Sequence, residues 1–411
     1  MQHRNFRLLW IGLILSFTGS TMQSAALLWH VSLLVSEDHK AIALGAVGLT
    51  RVVPVVLFSM VSGVVADALD RRRVLFFTQT AAALVAIGLT LLAHTGSTRL
   101  WPIYALGAFG AAVSAFDLPA RQAFLPMLVG RTHLANAITL NMIAFQTASV
   151  AGPALAGFVI AAGGVAPAYF LNALSFGFVI VALTLMRDIP APAPSDDEAP
   201  NEVSLAAAME GVRFVFHSPL IRSTMLLDFF ATFFASATAL LPIFAQDILK
   251  VGATGYGWLF AAPAIGAFAT SVALAPLVRH IRRRGVSIVW AVLGHGLATI
   301  VFGLSRSFWL AFACLVCVGA TDTVSTVLRN IIRNLMTPDR LRGRMTGINM
   351  VFFQGGPQLG ELEAGGVAQV YGAPFSVVSG GIGCLLATLW IASATPSLRR
   401  YTSDHESLPE T

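Results

Sequence analysis

The stretch VSGVVADALDRRRVLFF, residues 61–77, decides the fold. Five of the seven residues from Asp67 to Arg73 are charged, and apolar sequence resumes at once on either side. Charge this concentrated, between segments this greasy, reads as a short connector between two membrane-spanning helices.

The rest of the chain agrees. Of its 411 residues 56% are hydrophobic and only 11% charged, with a mean hydropathy of +0.75. Soluble domains are about one quarter charged, so this chain lacks the polar residues to cover a water-facing surface. Apolar runs long enough to cross a bilayer fall at 8–34, 42–66, 74–94, 100–125, 136–160, 167–186, 220–245, 254–278, 286–304, 308–333, 345–369 and 375–394. The expectation is an all-α polytopic membrane protein with twelve transmembrane helices. The first apolar run is too long for a cleaved signal, so it reads as a retained first helix.

Basic residues sort by connector. Arg4, Arg7, Arg71–Arg73, Arg131, Arg187, Arg213, Arg279, Arg282–Arg284, Arg340, Arg342, Arg344, Arg399 and Arg400 fall on one side, against Lys40, Arg99, Lys250 and Arg306 on the other. Basic loops stay cytoplasmic, which places both termini in the cytoplasm and the chain in the cell (inner) membrane. The net charge of +6 is thereby topological, not the patch a nucleic-acid partner would need. Cys314 and Cys317 have C-x-x-C spacing but sit in an apolar helix without His or acid beside them, and read as packing residues.

The sequence repeats itself. LNMIAFQ (140–146) returns as INMVFFQ (348–354), displaced by 208 residues; AGPALAG (151–157) returns as GGPQLGE (355–361), and DALDRRR (67–73) as RHIRRRG (279–285). Three matches in one order indicate duplication. The expected domains are a six-helix bundle over 1–187, a Pro- and acid-rich cytoplasmic linker over 188–218, a second bundle over 219–395 and a cytoplasmic tail over 396–411. Two such bundles, pseudo-symmetric about the membrane normal, form a transporter architecture with its site between them.

With these residues in view, the chain resembles the major facilitator superfamily. The run from Gly63 through Asp67 to Arg73 is similar to that superfamily's signature between helices 2 and 3, departing from it at Ala68 and Asp70. Gly152 and Pro153 resemble part of its helix-5 antiporter motif, with Ala148 replacing the leading glycine. ARQAFLPMLVGRTHLANAI (120–138), GRMTGINMVFF (343–353) and GELEAG (360–365) are similar to the enterobactin exporter-like and macrolide-efflux-like branch. The resemblance implies the major facilitator fold and a proton-linked antiporter working by alternating access. It would export a drug- or siderophore-like molecule. It also implies that Asp67 pairs with Arg71 and with Asp117 on helix 4, forming a cytoplasmic latch.

Ionisable residues inside spans are functional candidates because each costs about 2.5–3.5 kcal/mol to insert. Arg51 lies about 10 residues into helix 2, roughly 15 Å deep. Asp228 on helix 7 and Asp322 on helix 10 fall at similar depth, ~9–10 Å from the cytoplasm. Burial among apolar groups favours a neutral acid, which suits a residue that exchanges protons, so the two form a candidate proton or cationic-substrate site. Salt bridges to Arg329 or Arg51 are the competing reading. Asp117 and Arg121, four residues apart with the acid first, suit a gate ion pair. Glu361 is the candidate at the outer end of helix 11, ahead of Glu363, while His295 reads as a packed, backbone-bonded histidine.

No phosphate-binding loop, zinc-protease motif or nucleophile elbow occurs, so the chain is read as no enzyme. The expected partners are a small-molecule substrate, protons and membrane lipid. No cofactor is expected, the proton gradient supplying the energy, and the chain is expected to act as a monomer. Import or uniport of a small solute, and a receptor that transports nothing, are the other two readings.

Overall fold

A bilayer core offers no water to backbone amides, so every N–H and C=O must be bonded within the chain. The structure, a computed structural model, meets that demand with helices. It describes residues 4–186 and 205–402; side chains at 59–68, 131–132, 205–208, 211, 339–340 and 342–343 lie outside the described set.

The spanning helices run α1 (Arg4–Leu34), α2 (Glu37–Ala68), α3 (Arg71–His94), α4 (Trp101–Gly130), α5 (His133–Gly163) and α6 (Val165–Leu185). After the linker follow α7 (Pro219–Ile248), α8 (Gly252–His280), α9 (Arg284–Leu304), α10 (Phe308–Met336), α11 (Asp339–Tyr371) and α12 (Ala373–Ala394). Among the described residues eleven are apolar and long enough to cross a membrane. The twelfth, α11, is 33 residues long and more polar. Helices α4 and α5 run end to end, broken at Gly130, whose φ of 68° and ψ of 167° are open to a residue without Cβ. Helix α7 is irregular beyond Phe234 and ends in a π-helical turn, Phe244–Ile248.

The chain folds into two compact units. One holds residues 1–194 together with 241–261, the other 195–240 together with 262–411. In the first, α1 packs on α4, α5 and α6, with Leu9, Leu75, Phe124 and Leu183 in a shared apolar cluster. In the second, α7, α9, α10 and α12 meet around Leu227, Ile288, Leu328 and Cys384. Large apolar side chains such as Phe77, Leu84, Trp290 and Leu386 point outward, which suits a solvent of lipid tails.

The described end of the linker is ordered against the second unit. Leu205–His217 is a helix. Val215 is buried against Ile221, Met225 and Met345, and Glu210 pairs with Arg344 at the start of α11.

Candidate functional site

In the first unit charge gathers on one acid. Asp117 on α4 takes Nη2 and Nε of Arg121 on one oxygen, at 2.5 and 3.1 Å. Thr78 and Gln79 of α3 donate to the other oxygen at 2.8 and 2.7 Å. The Arg121 guanidinium lies 4.8 Å above the Phe17 ring of α1, a cation–π contact. One acid therefore rivets three helices together.

The charged connector that opens the sequence is used for capping. Asp70 accepts from the backbone amides of Arg72 and Arg73, closing the start of α3. Arg72 donates to the carbonyls of Leu183 and Met186 at the end of α6, groups with no partner inside their own helix. Arg71 donates to the Ala123 carbonyl at 3.2 Å. The Asp67 side chain lies outside the described residues. These acceptors were invisible in the sequence, since main-chain carbonyls 52 to 114 residues away leave no pattern in residue identity.

The helix-5 motif marks close helix crossings. A Cβ on Gly152 would run into Thr21 of α1, whose hydroxyl donates to the Ala148 carbonyl at 2.8 Å. One on Gly257 would stand 2.6 Å from the Pro153 carbonyl. Nearby, the α1–α2 turn grips the end of α7. Lys40, almost fully buried, lies 3.2 Å from Asp247, and Gln246 donates to Ser32 at 2.9 Å. Arg51 is half-buried and has no ion pair among the described residues. One to two turns along its helix, Pro54 and Phe58 line an apolar cavity of about 420 Å³ with Phe109, Val113 and Phe116.

The second unit gathers charge differently. Asp228 on α7 is 2% exposed, with Arg329 Nη2 2.8 Å from one oxygen and Arg333 Nη2 3.3 Å from the other. Arg333 also donates to the Thr224 carbonyl and hydroxyl, at 3.0 and 3.2 Å, and to Asn349 of α11. The same Arg329 Nη2 lies 3.7 Å from Asp322, so one fully buried guanidinium joins the two acids singled out from sequence. Among the described residues its Nε and Nη1 have no partner, nor do Ser325 Oγ and His295 Nε2. His295 Nδ1 meets the Val318 carbonyl at 3.2 Å, the backbone bond expected of it. Glu361 is buried on α11. Among the described residues no three His, Cys, Asp or Glu side chains converge as a metal ion needs.

Arg333 was not singled out as a site, while Asn349 stands out in sequence as one of the polar points repeated on cavity or flanking helices. A signal for Arg329 existed: it stands 208 residues after Arg121, the displacement of the repeat.

Comparison with known proteins agrees with this architecture. The transmembrane secretion effector family matches residues 1–409. The enterobactin exporter EntS of Shigella boydii serotype 18 is 30% identical over 342 residues, 83% of this chain and 80% of that protein. Its counterpart in Escherichia coli O139:H28 is 29% identical over the same coverage. Among solved structures, an inward-facing bacterial homolog of the human lysosomal transporter Spinster superposes with a TM-score of 0.73 at 15% identity, covering 97% of this chain and 98% of that one. A peptide-bound POT family transporter gives 0.76 at 12% identity, covering 97% of each chain. A transporter and not an enzyme, the chain belongs to the transmembrane secretion effector family of the major facilitator superfamily.

Proposed function

We propose that the chain is a proton-driven exporter of a small, siderophore- or drug-like organic molecule. It works by alternating access as an inner-membrane monomer with both termini in the cytoplasm. The proton gradient supplies the energy, and no cofactor takes part. The supporting observation is the Asp228–Arg329–Asp322–Arg333 cluster within α7 and α10. Each ionisable group at membrane depth costs about 2.5–3.5 kcal/mol, and apolar replacements of buried ion pairs often leave stability unchanged or raised. Packing alone does not account for four such charges, whereas proton exchange during transport does. Export as the direction follows the named activity of the relatives. Asp67, Arg71, Asp117 and Arg121 are assigned to the latch on the cytoplasmic side.

The test is secretion of enterobactin by a host deleted for its own exporter and carrying this chain, with and without a protonophore. Secretion restored, and lost on adding the protonophore, is the expected result. Restored secretion that ignores the protonophore would overturn proton drive, and uptake in place of secretion would overturn the direction.

A further inference from the structure

The two halves hold the same three helical positions with an acid and a serine exchanged. Counting back from the arginine, the first half reads Arg121, Asp117 four residues earlier and Ser114 seven earlier. The second, 208 residues on, reads Arg329, Ser325 and Asp322. Arg121 therefore finds its acid one turn away on its own helix and closes on it. Arg329 finds a serine there, whose Oγ is buried without a partner among the described residues. It turns to Asp228 of α7 and keeps only a 3.7 Å approach to Asp322, two turns back.

We propose that Asp322 is the residue that carries the proton and that Arg329 is its exchangeable counter-ion, an inference that rests on proton-driven export. Access separates the two acids. The Asp228 side chain is 3% exposed and held by both guanidiniums, whereas that of Asp322 is 39% exposed with one long contact. Of the two acids only Asp322 is open at the protein surface, as a group loading and unloading a proton must be. A proton bound to an Asp322 oxygen removes one negative charge, and the cluster passes from two cations and two anions to a net +1. Arg329 then keeps Asp228 and lets go of Asp322; release of the proton to water reverses the exchange. Among the described residues Arg329 of α10 meets Asp322 directly, Asp228 of α7 joins it through Arg329, and Arg333 of α10 joins through Asp228; His295 of α9 and the Cys384 thiol of α12 stand around the same cluster. His295 and Cys384 lie within electrostatic reach of both Asp322 and Arg329.

Infrared difference spectra of the full chain in lipid vesicles, recorded while the buffer is acidified, test this directly. A carboxylic-acid carbonyl band should grow in the parent protein and in Ser114→Ala. It should be missing from Asp322→Asn and from the transposed variant Asp322→Ser with Ser325→Asp. In both of those, protonophore-sensitive enterobactin export should fall at least about tenfold. Should Asp322→Asn fail to fold, Asp322→Glu must keep the band at a shifted frequency. A band that survives in Asp322→Asn, an unshifted band in Asp322→Glu, or export in Asp322→Asn that is undiminished and still protonophore-sensitive overturns the assignment. If export by the parent chain ignores the protonophore while the band still depends on Asp322, proton drive fails and the site assignment stands.

Discussion

Arg333 fills its donors with Asp228, Thr224 and Asn349, three partners on two other helices. Removing it strips the buried carboxylate of one of its two cations. Arg333→Met should therefore cost about 3–5 kcal/mol, read as a lower melting temperature in detergent. Asp228→Leu combined with Arg333→Met should recover much of that loss, since no charge is then stranded between them. Asp228 and Asp322 were legible in the sequence because an acid in an apolar run is conspicuous. Arg333 was not, because an arginine in the last turn of α10 looks like any cytoplasmic anchoring charge. What separates them is burial, with Arg333 enclosed and bonded to Thr224 and Asn349.

At the scale of elements, the sequence declared the helices and concealed their joints. Twelve apolar segments were countable because a span must be about 20 residues of apolar chain. The cap that Arg72 supplies to α6 was not legible, and neither was the linker helix, where the Pro- and acid-rich run before it dominates composition. Arg72→Gln should cost about 0.3–1 kcal/mol, the worth of a cation at a helix C-terminus. The matching sign is faster amide exchange confined to residues near Leu183 and Met186. Gly157→Val should cost more, about 1–3 kcal/mol, because a Cβ there would stand 2.7 Å from the Ala253 carbonyl of α8. Thermal melting of the purified variants orders the two.

At the scale of the molecule, duplication was legible in three echoed motifs, and the displacement of 208 residues reappears between Arg121 and Arg329, although the two arginines find their acids differently. The unit boundaries were not, since a repeat shows which segments share ancestry and not which pack together. Residues 241–261 belong by sequence to the second half yet fold with 1–194. The Tyr256 hydroxyl donates to the Ala25 carbonyl at 2.8 Å, and Lys40 faces Asp247. Lys40→Gln should loosen this excursion, seen as faster hydrogen exchange across 244–256 while the rest of the first unit keeps its protection. The backbone crosses between units after residues 194, 240 and 261, so it is laced and not merely tethered. Scission of the connector between the halves therefore severs only one of three crossings. The two fragments should still co-purify as a single particle without any covalent bond between them.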